Sequence, residues 1–152
     1  MPKIVYFSGA SALLLTLADA AAKYASLTLL GDERSIILIP GALSFFLHKN
    51  YGALANIQLP MYLIIALSFV VLSYCVATVA RRCSLSQYSS ASAMIFLIFG
   101  ATGNLTDRII NGFTTDYLLL FQKSAVNISD GVILGGIIWF VIASKKESGV
   151  RQ

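Results

Sequence analysis

From Tyr51 to Ala80 the chain carries no Asp, Glu, Lys or Arg, and from Cys83 to Thr106 it again carries none. A bilayer core about 30 Å thick is crossed by roughly 20 apolar residues in helical form, so each stretch is long enough to span it. Two more apolar runs, Ile4 to Ala22 and Ser124 to Ser144, are each interrupted by one acid, Asp19 and Asp130. The expected architecture is an all-α membrane protein with four transmembrane helices, near residues 4–24, 57–80, 86–106 and 126–144. Residues 1–152 then form a single polytopic domain. Composition agrees: 57% of residues are hydrophobic and 12% charged, where soluble domains carry about a quarter charged residues.

The first run exceeds the roughly 7–15 apolar residues of a cleaved signal peptide, so it reads as a retained span. Lys3 precedes span one, Arg81 and Arg82 join spans two and three, and Lys145, Lys146 and Arg151 follow span four. All three clusters fall on one side, which the positive-inside rule makes cytoplasmic, with both termini there. They account for the net charge of +4, so no nucleic-acid partner is implied. Cys75 lies in span two and Cys83 at its cytoplasmic end, where thiols stay reduced. The only histidine, His48, has no second ligand at metal-binding spacing and reads as a loop residue, so no metal or cofactor is expected.

Residues 25–56 are too many for a simple helix connection. Within them Ser35-Ile-Ile-Leu-Ile-Pro40 is a β-branched run closed by Pro-Gly, and Leu43 to His48 is a second short apolar run. Two such runs around a Pro-Gly turn predict a small extracytoplasmic sheet lying on the membrane. The other outer loop, 105–125, holds the turn signal Asn111-Gly112 and then Phe113 to Phe121.

Charges in or beside spans are costly, so each needs a reason. Asp19 and Lys23 are four apart, on one helix face, where they can pair and brace a polar site. Asn104, Asp107 and Arg108 close span three, Asp116 lies in the outer loop, and Asn127 and Asp130 open span four. Asp116 and Asp130 have no basic neighbour in sequence. Two carboxylates held close in a poorly solvated place share a proton, which supplies a base and an acid together. Gly131, Gly135 and Gly136 beside Asp130 offer close approach to another helix or a substrate.

In this order and spacing the residues resemble the lipoprotein signal peptidases, the signal peptidase II family. Asp19-x-x-x-Lys23, Asn50-Tyr-Gly52-Ala53, Gly103-Asn104-x-x-Asp107-Arg108, Gly112 to Asp116-Tyr117 and Asn127-Ile-Ser-Asp130 are similar to the family's motifs. The resemblance implies a four-span aspartyl endopeptidase of the bacterial inner membrane, with its active site near the extracytoplasmic face. Its substrates would be prolipoproteins in the membrane lipid, cut just before the diacylglyceryl-modified cysteine, and the cyclic peptide globomycin would inhibit it. By motif, Asp116 and Asp130 would be catalytic, and Asn50, Gly52, Asn104, Arg108 and Asn127 would bind substrate. Asp19, Lys23 and Asp107 would support them. The chain departs from the family pattern at Leu54-Ala55, where Ala-Phe is usual, at Ala20, where glutamine is common, and at Ser129, where alanine is usual.

Two other readings compete. A small proton- or ion-coupled transporter would spread its acids across membrane depth, whereas here they gather on one face. A catalytically silent relative would bind lipopeptide without cutting it.

Overall fold

The structure is a computed structural model that describes residues 2–30, 35–53, 57 and 59–149. Leu54-Ala55 and Arg151 lie outside the described residues. Four long helices form: α1 (Lys3–Leu29), α2 (Met61–Ser84), α3 (Tyr88–Asn111) and α4 (Ile128–Gly149). All four are long and apolar enough to cross a membrane, and at about 1.5 Å per residue even α4 reaches about 33 Å. The chain is a multi-pass membrane protein. Its outward surface is apolar, with Leu14, Val70 and Ile142 more than half exposed, as lipid-facing positions require.

The helices start and stop where local chemistry dictates. Pro60 precedes α2, where its missing N–H costs nothing, and Arg81 and Arg82 occupy the last turn, opposite the negative end of the helix dipole. Helix α3 runs five residues past its expected end at 106. It stops at Gly112, which adopts the left-handed conformation (φ 76°) and donates its N–H to the Arg108 carbonyl. At the other end of α3, the Glu147 carboxylate from α4 accepts the N–H groups of Ser89 (3.1 Å) and Ser90 (3.3 Å).

Helix α3 packs against the other three. Small residues let it approach α4, among them one of the three glycines expected from sequence. Gly131 and Gly135 have open space around them, and the close crossing is made by Gly136 of α4 with Gly100 and Gly103 of α3. A methyl group on Gly100 would lie 2.9 Å from both Ile133 Cγ1 and the Ser129 carbonyl oxygen. Gly100→Ala is therefore expected to cost about 1–3 kcal/mol through overpacking, read as a lowered unfolding midpoint in detergent, while Gly135→Ala causes no loss.

The sheet is larger than the two expected strands. Strands β1 (Ser35–Ile39) and β2 (Leu43–Asn50) are joined by β3 (Thr114–Leu120) and β4 (Ser124–Val126) from the second outer loop, antiparallel in the order β1-β2-β3-β4. The β1–β2 turn uses Gly41 at φ 71°. Phe45 pairs with Leu118 and His48 with Asp116, so β2 carries one extra residue between them, a β-bulge. By connectivity the sheet sits at one end of the bundle, and the α2–α3 turn, the start of α1 and the end of α4 sit at the other.

Candidate active site at the sheet end of the bundle

The sequence Asn127-x-x-Asp130 folds into a reciprocal cap at the start of α4. Asn127 Oδ1 accepts the Asp130 N–H (2.9 Å), and the Asp130 carboxylate reaches back to the Asn127 N–H (3.2 Å). Two of the helix's first N–H groups and the dipole are thereby answered by a neighbouring amide and acid. The cap also fixes the Asn127 amide. With its oxygen committed, its Nδ2 donates to Asp116 Oδ1 at 2.7 Å. One asparagine thus holds both carboxylates, Asp116 through its side chain and Asp130 through its backbone N–H.

Each carboxylate receives a second amide. Asn50 Nδ2 donates to Asp116 Oδ2 (2.9 Å), and Asn50 Oδ1 accepts the Gly52 N–H (3.0 Å). The bulge makes this possible: in an unbroken ladder Leu47 would stand opposite Asp116, and Asn50 opposite Phe113. Asn104 Nδ2 donates to Asp130 Oδ1 at 2.9 Å.

Lys23 decides which way Asn104 faces. Its ammonium contacts Asn104 Oδ1 (2.9 Å), Asp19 (3.0 Å) and Asp107 (3.4 Å), all buried. An ammonium only donates, so the Asn104 oxygen turns to it and the NH2 turns to Asp130. Asp107 also holds β3, accepting the backbone N–H of Thr115 and its hydroxyl (3.1 Å), and it takes the Asn111 amide as well. The expected Asp19–Lys23 pair is one edge of a larger buried network.

Arg108 corrects the expectation that the two acids stand without a cation. It interacts electrostatically with Asp116, Asp130 and Asp107. Its Nη2 lies 3.4 Å from the Gly52 carbonyl, and its buried Nε has no hydrogen-bond partner among the described residues. That leaves a donor for a peptide carbonyl.

Burial raises the Asp116 carboxyl from its ordinary 3.8 to about 6; the amides of Asn50 and Asn127 and the charge of His48 oppose the rise, and the charge of Asp130 adds to it. Between these values the folded chain holds a proton that the unfolded chain has lost. Stability from this group is therefore fullest below 3.8 and is lost as pH rises through about 6. Infrared titration is expected to show a carboxyl band disappearing near pH 6, absent in Asp116→Asn. His48→Gln removes a favourable positive charge, so the midpoint moves upward.

The comparisons with known proteins agree with one another. The signal peptidase (SPase) II family matches residues 11–146. The chain belongs to the signal peptidase II family. A lipoprotein signal peptidase of Shewanella baltica is 33% identical over 89% of this chain and 85% of its own. Another, from Thermodesulfovibrio yellowstonii, is 26% identical over 94% of this chain and 97% of its own. A solved bacterial membrane enzyme shares the fold at a TM-score of 0.85 and 24% identity, covering 97% of this chain and 93% of that one.

All ten residues singled out from sequence in this signal peptidase II chain fall in the one network just described. Sequence reasoning missed four contributors. His48, read as a loop residue, stands directly across the strands from Asp116. Thr115, Tyr117 and Ser129 bind the supporting acids. The Asn-x-x-Asp spacing before an apolar run is a capping signal that places the start of α4. Nothing local marks the four missed residues, whose partners in the site lie eight or more residues away.

Proposed function

We propose that this signal peptidase II chain is an aspartyl endopeptidase that removes signal peptides from prolipoproteins, cutting before the diacylglyceryl-modified cysteine. The observation that carries this reading is that one residue, Asn127, holds both carboxylates, Asp116 through its side-chain amide and Asp130 through its backbone N–H, with the Asp116 carboxyl raised to about 6. One carboxylate takes a proton from water as its oxygen attacks the scissile carbonyl. The other gives a proton to the amine nitrogen as the C–N bond breaks. The Arg108 guanidinium and the free capacity of Asn50 and Asn104 hold the peptide backbone. The raised carboxyl of Asp116 makes it the natural seat of the shared proton.

The site's position suits a substrate anchored in lipid. Asp19, Asp107, Asp116 and Asp130 gather at the sheet end, whereas a relay of ions would need acids at several depths. Lys3, Arg81, Arg82, Lys145 and Lys146 stand at the opposite end, and by the positive-inside rule they support a cytoplasmic side there, with both termini, in a bacterial inner membrane. The peptide bond then meets water at the outer interface while the acyl chains stay in the bilayer. One polytopic unit suffices for this.

Purified protein in detergent is expected to cleave a diacylglyceryl prolipopeptide, as read by mass spectrometry, and globomycin is expected to block it. Intact substrate after incubation with well-folded protein would defeat the proposal and favour a lipopeptide-binding role.

A further inference from the structure

Behind the two carboxylates lies a second set of contacts that proton transfer does not use. Asp19 is 1% exposed. Its Oδ1 accepts the Tyr117 hydroxyl (2.8 Å) and the Ser129 N–H (3.3 Å), and its Oδ2 accepts the Ser129 hydroxyl (2.7 Å) beside Lys23. The Tyr117 oxygen in turn accepts the Ile128 N–H at 3.1 Å. Tyr117 follows Asp116 in β3, and Ser129 precedes Asp130 in α4. Successive strand residues point to opposite faces, so Tyr117 reaches away from the site as Asp116 reaches into it.

We infer that Tyr117 and Ser129 are positioning residues, whose hydroxyls lock β3 and the first turn of α4 onto Asp19 and thereby set the spacing of Asp116 and Asp130. Three elements far apart in sequence meet on one carboxylate, and each hydroxyl sits one residue from a reacting group. The Tyr117 phenol stays protonated, because burial raises it well above its ordinary range, so it serves as a donor to Asp19 and an acceptor from Ile128 at once. The Tyr117 ring is held separately by Phe45, at 5.8 Å between centroids, so removing the hydroxyl loosens the link while the packing stays. Asp19 keeps its pair with Lys23 in either variant.

The inference rests on the proposed catalytic role of Asp116 and Asp130. Because misplacement of reacting groups by about 1 Å costs about 100-fold in rate, partial release of one anchor is expected to lower kcat about tenfold. Prolipopeptide cleavage by Tyr117→Phe, Ser129→Ala and the double variant would be measured beside Asp116→Asn. The expected result is a fall in kcat with KM within about twofold, and a double variant losing less than the product of the single losses, since both act through Asp19. Asp19→Asn, which preserves shape but gives up an acceptor, is expected to show the same split. Unchanged kcat in both single variants, or losses confined to KM, overturns the inference alone when Asp116→Asn is inactive. Full activity in Asp116→Asn overturns this inference and the proposed function together.

Discussion

Asp116→Asn and Asp130→Asn are each expected to reduce prolipopeptide cleavage by about three orders of magnitude, within the range that acid and base groups contribute. Asparagine has nearly the shape of aspartate but neither takes nor supplies a proton. At 116 its NH2 would also meet a donor on either side, because Asn127 and Asn50 both present amide hydrogens there. At 130 the same conflict arises between the Asn104 amide and the Asn127 N–H. Each replacement therefore breaks a hydrogen bond as well as the chemistry. The lost bond alone costs about 1–3 kcal/mol where a buried donor is left unpaired, so unfolding midpoints need to be recorded with the rates. If the protein carrying both changes still cleaved substrate, the paired-carboxylate mechanism would be wrong, whatever its stability.

Lys23→Met is expected to have the largest effect on stability, about 3–5 kcal/mol, the usual loss when one member of a buried ion network is removed. Methionine fills similar space without charge, and it leaves Asp19 and Asp107 facing each other's charge in a site closed to water. The change has a second consequence. With no ammonium to hold its oxygen, Asn104 is free to turn, and Asp130 loses a fixed donor. Activity should therefore fall even at temperatures where the variant is folded. Chemical unfolding in detergent measures the first effect, and kcat of the folded fraction measures the second. An unfolding midpoint equal to that of the unaltered protein would show that Lys23 does not hold this network together.

The spans were legible because absence of charge over more than 20 residues has only one economical explanation. Their ends were less so. Asp107 and Arg108 suggested that α3 stops before them, yet both are answered within the bundle, and the helix continues to the left-handed Gly112. Strands β1 and β2 were announced by β-branched residues and a Pro-Gly turn. Strand β3 was not, since its pairing with β2 joins segments about 70 residues apart. The site divides the same way. Asp19 and Lys23 were readable as neighbours one helical turn apart, while the reach of Lys23 to Asp107 and Asn104 depends on helix packing. Arg108 was visible as a charge, but its proximity to Asp116 and Asp130 emerges only when the second outer loop folds back as a strand.

The extra residue in β2 divides the sheet into two halves that keep separate time. On one side, Leu43 to Phe45 follow the register of the apolar β1 edge; on the other, His48 to Asn50 follow that of Asp116. Across the joint, the register that brings the Asn50 amide to Asp116 is set by His48 to Asn50 and is one residue out of step with that of Leu43 to Phe45.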